Sequence, residues 1–204
     1  GARPDYDCSK YGSDSGGSDE DELRCLNSQE SNNDIDMALK YTQLGEKTDF
    51  GFFGAFEHDE DFSEGKDFFA VRTSHKTGNH KIGHMLTYVD RSAIDRDATV
   101  NAIDYQFIPN EIIKFDSVLM FSNSNQEKSG FGSRNAVVFQ HNKEWRSGAE
   151  FYYYNDKLNI DDMGYLYRNN LFSGGANVSY SRTDFSEDSP VLSRSYSWDF
   201  WSEN

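Results

Sequence analysis

The chain has no apolar run approaching the ~20 residues a membrane helix needs. It has only three prolines and two cysteines, and few cations, with 20 Lys and Arg against 35 Asp and Glu. Each shortage narrows the possibilities. Without a long apolar run, helical membrane spans are excluded. A net charge of −15 and the lack of any Lys/Arg cluster exclude nucleic acid as a partner, because phosphate recognition needs concentrated positive charge. The spacing of Cys8 and Cys25 fits neither a zinc pair nor a redox C-x-x-C. His58, His75, His80, His84 and His141 are scattered without a metal-binding motif. There is no Gly-x-Ser-x-Gly nucleophile elbow. Gly130-Phe131-Gly132-Ser133 is too short to cradle phosphate and reads as a flexible loop tip. Carboxylates are so plentiful that no pair stands out as catalytic. The expectation is a protein that is not an enzyme, with no catalytic or cofactor-binding residue to assign.

What remains is alternation. Hydrophobic residues make up only 36% of the chain, yet aromatics reach 15%, which argues against disorder. A barrel wall in which every second residue meets lipid tolerates this balance; so does a soluble sandwich with one wet face per sheet. Ile35, Met37, Leu39 and Tyr41 take one parity, Asp36, Ala38 and Lys40 the other. The same period predicts strands over about 34–43, 50–57, 68–76, 81–89, 99–107, 112–122, 136–141, 145–154, 163–168, 171–182 and 191–201. Thr77-Gly78-Asn79-His80 reads as a tight hairpin. Ile108-Pro109-Asn110-Glu111 reads as a turn, since proline fixes φ and cannot sit in a central ladder. The connections run short, then long: tight after Tyr41, long and acidic after Glu57. That is the rhythm of a bacterial outer-membrane barrel, with tight periplasmic turns and long outer loops. The expected fold is all-β, an antiparallel up-and-down meander of about eleven strands forming part of a transmembrane β-barrel. No helix-period stretch of useful length is visible.

The two parities differ in chemistry. Lys40, Arg72, Asp104, Lys114, Asp116, Arg146, Glu150 and Asp199 fall on the less apolar one, and the first seven are the candidates for facing a polar lumen. Tyr41, Phe56, Tyr88, Phe107, Phe121, Trp145, Tyr154 and Trp201 lie near strand ends, where interfacial aromatic girdles form. His84 and Arg194 share parity with apolar neighbours and fit the pattern less well.

Residues 1–33 are rich in Gly, Ser, Asp and Asn without a period, and read as one long polar loop ahead of a barrel segment over 34–204. Both cysteines lie in this loop. A Cys8–Cys25 disulfide in an oxidising compartment is the preferred reading, against two unpaired thiols in a reducing one. The acidic runs Asp19 to Glu22, Glu57 to Asp61 and Asp95 to Asp97 read as solvated loop tips. Their alternative is capture of Ca²⁺ or Mg²⁺ by loop carboxylates. The chain is expected to be a segment of a larger protein.

The stretches Tyr41-Thr42-Gln43-Leu44-Gly45, Asp49-Phe50-Gly51-Phe52-Phe53, Asp67-Phe68-Phe69-Ala70-Val71-Arg72, Ile82-Gly83-His84-Met85 and, most specifically, Asp162-Met163-Gly164-Tyr165-Leu166-Tyr167-Arg168-Asn169-Asn170 carry a resemblance. They resemble the barrel of an uncharacterised bacterial outer-membrane family. Its members carry an N-terminal carbohydrate-binding module, similar to family nine, ahead of a C-terminal β-barrel. The resemblance covers about 34–201 and implies a piece of such a barrel without its sugar-binding module. It also implies a Gram-negative outer-membrane location, lipid and glycans as partners, a role in transport or surface binding, and no catalytic residues. The Cys8–Cys25 loop looks like a local elaboration. The alternative is a soluble secreted all-β carbohydrate-binding module, or a non-catalytic part of a carbohydrate-active enzyme.

Overall fold

Period-two alternation runs through most of the chain after residue 34, and that part folds as one sheet. The structure, a computed structural model, describes residues 5–27, 34–59, 61–186 and 188–204. Parts of the polar segment (1–4 and 28–33) and Glu60 of the second acidic run lie outside the described residues. Ten strands follow one another: β1 (Ile35–Gln43), β2 (Thr48–Glu57), β3 (Asp67–Thr77), β4 (His80–Arg91), β5 (Arg96–Phe107), β6 (Ile113–Ser124), β7 (Gly130–Gln140), β8 (Trp145–Tyr154), β9 (Leu171–Arg182) and β10 (Arg194–Glu203). They pair in sequence order in a single sheet with β1 and β10 at its edges. Every pairing is antiparallel. The antiparallel up-and-down meander is therefore the fold, though the sheet does not close on itself.

Three local expectations are corrected. The segment 163–168 is not a strand, so ten strands are described, not eleven. It lies in the connection 155–170, where local side-chain bonds defeat a short alternation. The Leu166 amide donates to the Asp161 carboxylate (2.8 Å) and the Asp161 amide to the Asn159 side chain (3.0 Å). Gly130 to Ser133 form the start of β7 and not a loop tip; glycines at alternate positions hide the period. The polar segment contains a helix, α1 (Asp19–Asn27). Its signal is Ser18-Asp19-Glu20-Asp21, a capping box. The Asp21 amide donates to Ser18 Oγ (3.1 Å) and the Ser18 hydroxyl donates back to the Asp21 carboxylate (2.7 Å).

Register sorts the side chains. Tyr41 opposes Phe52, then Val71, Leu86, Asn101, Phe121 and Phe131 follow across successive ladders. Opposed residues of an antiparallel pair share a side, and neighbours along a strand alternate. One face therefore collects most of the large apolar residues. They stay open: Leu39 is 58% exposed, Ile82 54%, Phe172 55% and Phe200 67%. Among the described residues no second layer covers them. What core exists lies at one end of the sheet, where Val89, Ala98 and Leu158 are buried.

That end carries the connections 58–66, 92–95, 125–129 and 155–170; the other carries 44–47, 78–79, 108–112, 141–144 and 183–193. The short–long rhythm is clear only at the flanks, because β5, β6 and β7 run further toward the loop end than their alternation shows. The hairpin at Gly78 and Asn79 is as tight as expected, with Gly78 at φ +55°, a conformation glycine takes without steric cost.

At the loop end, α1 is tied to the preceding turn by a Cys8–Cys25 disulfide with Cα atoms 5.6 Å apart, and Cys25 is fully buried. A loop of this length contributes about 3 kcal/mol in the chain-entropy account. Reduction, or Cys25→Ser, is expected to speed hydrogen exchange of the α1 amides. β3 to β8 should keep their protection. Equal loss of protection across the sheet would contradict this local role.

Candidate functional site

The face opposite the apolar one is polar. All seven lumen candidates, Lys40, Arg72, Asp104, Lys114, Asp116, Arg146 and Glu150, lie on it by register. The structure does not gather them at one point. Lys40 stands apart on edge strand β1. Arg72 and Asp104 form an ion pair across Gly83, where any side chain would overlap them. Lys114, Asp116, Arg146 and Glu150 line a single open trough of about 490 Å³ over β6 to β10.

The trough floor is low where it needs to be. Ala136, Gly148 and Gly175 are among its lining residues. The ring of Trp201 lies against Gly175, where a Cβ would overlap it. Its charges are largely paired in place. Lys114 meets Asp116 at 2.9 Å and Arg134 meets Glu150 at 3.5 Å. The Tyr152 hydroxyl donates to Glu150 (2.7 Å), with the Arg134 guanidinium 5.5 Å above the Tyr152 ring. The Gln106 side chain donates to Asp116 (2.8 Å). Arg134 escaped the sequence reading because its surroundings looked like loop. Its signal was parity with Ala136 and Val138 within a strand.

The expected aromatic girdle divides. Tyr41, Phe56, Tyr88, Phe107, Phe121 and Trp145 share the apolar face, whereas Tyr154 and Trp201 sit on the polar one, opposite Gly132 and Gly175. The run Phe151-Tyr152-Tyr153-Tyr154 necessarily sends alternate rings to opposite sides. On the apolar face rings meet in several groups. Phe56, Phe69 and Tyr88 join toward the loop end, as do Phe121, Phe131 and Tyr153. Toward the turn end, Trp145, Tyr180, Tyr196 and Trp198 pack together.

Some polar groups on the apolar face bond one another, while Asp67, Asp90 and Asp97 stand opposite one another at its loop end. His84 pairs with Asn101 at 3.3 Å and the Ser117 hydroxyl donates to Asn135 (2.8 Å). His84 thus fits its position, and Arg194 is the first residue of β10, at the sheet's end. The other histidines also find side-chain partners: His58 with Asp36, His75 with Thr48, His80 with Tyr105 and His141 with Ser147. Among the described residues no group of three or more His, Cys, Asp or Glu is arranged to hold a metal ion.

A second polar cluster occupies the loop end of the polar face. Asp162 meets Arg91 and Arg96, each at 2.8 Å, and Arg96 also meets Glu127 at 3.4 Å. Asp5 meets Arg91 at 2.6 Å and Lys66 at 3.4 Å.

The model of a family described as a domain of unknown function, DUF5916, matches residues 73–199. This chain belongs to the DUF5916 family. No curated protein and no solved structure matches it. The DUF5916 match runs from within β3 to within β10 and takes in Asp162 and the trough lining up to Asp199, while Trp201, Asp5 and the disulfide lie outside it.

Burial raises the affinity of the Asp5 and Asp162 carboxyls for protons, but the arginines, with Lys66 beside Asp5, outweigh it and hold both below the ordinary carboxylate value. A carboxyl depressed in the folded state stabilises it above the unfolded value of about 4, and that contribution is lost as pH falls toward the folded value. Acid titration should therefore loosen the loop end first, below about pH 4. Asp162→Asn, which leaves two arginines short of a partner, should cost about 3 kcal/mol at pH 7 and less at pH 2 in chemical denaturation. Equal cost at both pH values would contradict the pairing.

Proposed function

We propose that this DUF5916 chain is part of the wall of a bacterial outer-membrane β-barrel, acting without catalysis in transport or surface binding. In this reading the apolar face meets lipid and the polar face lines an aqueous interior. Further strands along β1 and β10 complete the wall. One observation carries the reading: a continuous ten-stranded sheet with its large apolar side chains open on one side and its charged ladder on the other. A soluble sheet would bury that apolar side against a second layer. Two features add support. The strands are about the length a tilted spanning strand needs. Cross-strand bonding of His84 and Ser117 on the apolar side is what a solvent without hydrogen-bonding capacity demands.

The ligand class we favour is glycan. Trp201 offers an aromatic surface beside Asn177, Arg146 and Asp199 in the trough, and Arg146 and Asp199 have no ion-pair partner among the described residues. The same trough supports the second reading, a secreted carbohydrate-binding module. An upstream sugar-binding domain in the parent protein belongs to the first.

Single-cysteine labelling of the full-length protein in native membranes separates them. Leu119→Cys and Val137→Cys on the apolar face should resist a charged, water-soluble maleimide, whereas Asn177→Cys and Ser179→Cys should react. Free reaction at all four, together with a monodisperse protein in detergent-free buffer, would overturn the barrel in favour of the soluble module.

A further inference from the structure

The connection from β8 to β9, residues 155–170, does not leave the sheet. It folds back across the polar face. The Leu158 backbone lies so close to Gly130 that a Cβ there would overlap it, and the Leu158 side chain occupies the space a Cβ at Gly132 would enter. Leu158 is wholly buried. The Asn159 amide donates to the Ser122 hydroxyl (3.0 Å) and its carboxamide to Glu127 (3.0 Å). Asp162 then reaches both Arg91 and Arg96. The sheet residues gripped from above, Arg91, Arg96, Ser122, Gly130 and Gly132, are on the polar face by register.

The disulfide-bonded segment arrives at the same place from the other end of the chain. Lys10 donates to the Ala93 carbonyl (2.7 Å), and Asp5 makes two hydrogen bonds to the Arg91 guanidinium (2.6 and 2.8 Å). Arg91 is thus shared by two carboxylates from remote parts of the chain. The trough at the far half of the face is left open. The covering is therefore confined to one end of the polar surface.

We propose that residues 155–170 and the disulfide-bonded segment are two leaves of a gate over one mouth of the polar face, latched together through Arg91. The proposal rests on the barrel reading, since only an enclosed polar face has a mouth to gate. The latch suits a gate better than a brace would. One leaf is held by a single buried apolar side chain and a few ionic and hydrogen bonds, and losing Asp162 would undo both of its arginine contacts.

The test uses the full-length protein, unmodified and in two variants. Asp162→Asn removes the latch. Gly130→Ala keeps the strand but places a methyl against the Leu158 backbone, displacing the same leaf with every charge retained. In both, amides 157–166 should exchange at least tenfold faster, as a locally opened segment does, with β4 to β7 unchanged. After reconstitution into lipid bilayers, K⁺ conductance should rise severalfold over the unmodified protein. Asp184→Asn, at the turn end, should change neither. Unchanged exchange in both variants overturns the latch. Faster exchange with unchanged conductance overturns the gate and leaves a structural brace. Failure of every form to insert into bilayers overturns the barrel reading, and the gate with it.

Discussion

Nearly unbroken register is the constraint on which the rest of this molecule depends. Nine antiparallel ladders run side by side, and the residue opposite each position is the one whose side chain belongs on the same face. The shift between Ile35 and Met37 lies at the extreme end of β1, where it disturbs no inner strand. A one-residue slip anywhere in the middle would transfer a whole strand's side chains to the wrong side. Arg72, for instance, would then sit between Phe52 and Leu86, in the place of Val71. The energetic penalty for such an error is what keeps a sheet with no second layer in a single arrangement.

Most of this arrangement could be read from residue order. Alternation located all ten strands, with one false strand at 163–168, and parity assigned Lys40, Arg72, Asp104, Lys114, Asp116, Arg146 and Glu150 to one face without gathering them at one point. The tight turn at Gly78 and the Cys8–Cys25 pairing were legible for local reasons. Other features depended on information that a period-two reading discards. Gly130 and Gly132 carry no side chain to count, so the start of β7 was invisible. The segment 163–168 alternates well enough to pass for a strand, but the arginines that draw Asp162 down lie more than sixty residues earlier. Helix α1 was missed because its charged composition resembles loop; the cap at Ser18 was the only short-range clue. Tyr154 and Trp201 were grouped with a girdle by their nearness to strand ends, when parity already assigned them to the other side.

The two faces also differ in how their polar groups are satisfied. On the charged face, ion pairs and water-accessible side chains share the work, and the residues around Glu150 form a connected set of a tyrosine, an arginine and a carboxylate. On the apolar face several polar side chains, such as His84 and Ser117, bond a neighbour one strand away, while the acids Asp67, Asp90 and Asp97 stand opposite one another at its loop end. The loop end follows a third scheme. Its charges are mostly buried beneath folded-back chain, where removing one partner matters far more than at an exposed site.

The open margins of the sheet have a further consequence. Among the described residues, β1 and β10 each present a row of main-chain donors and acceptors with no strand alongside, and neither strand carries a proline to blunt it. Two such borders on opposite sides of one molecule are complementary in a head-to-tail sense, an arrangement that propagates without closing. In water, such borders favour ribbons in which each copy docks its last strand beside the first strand of the next.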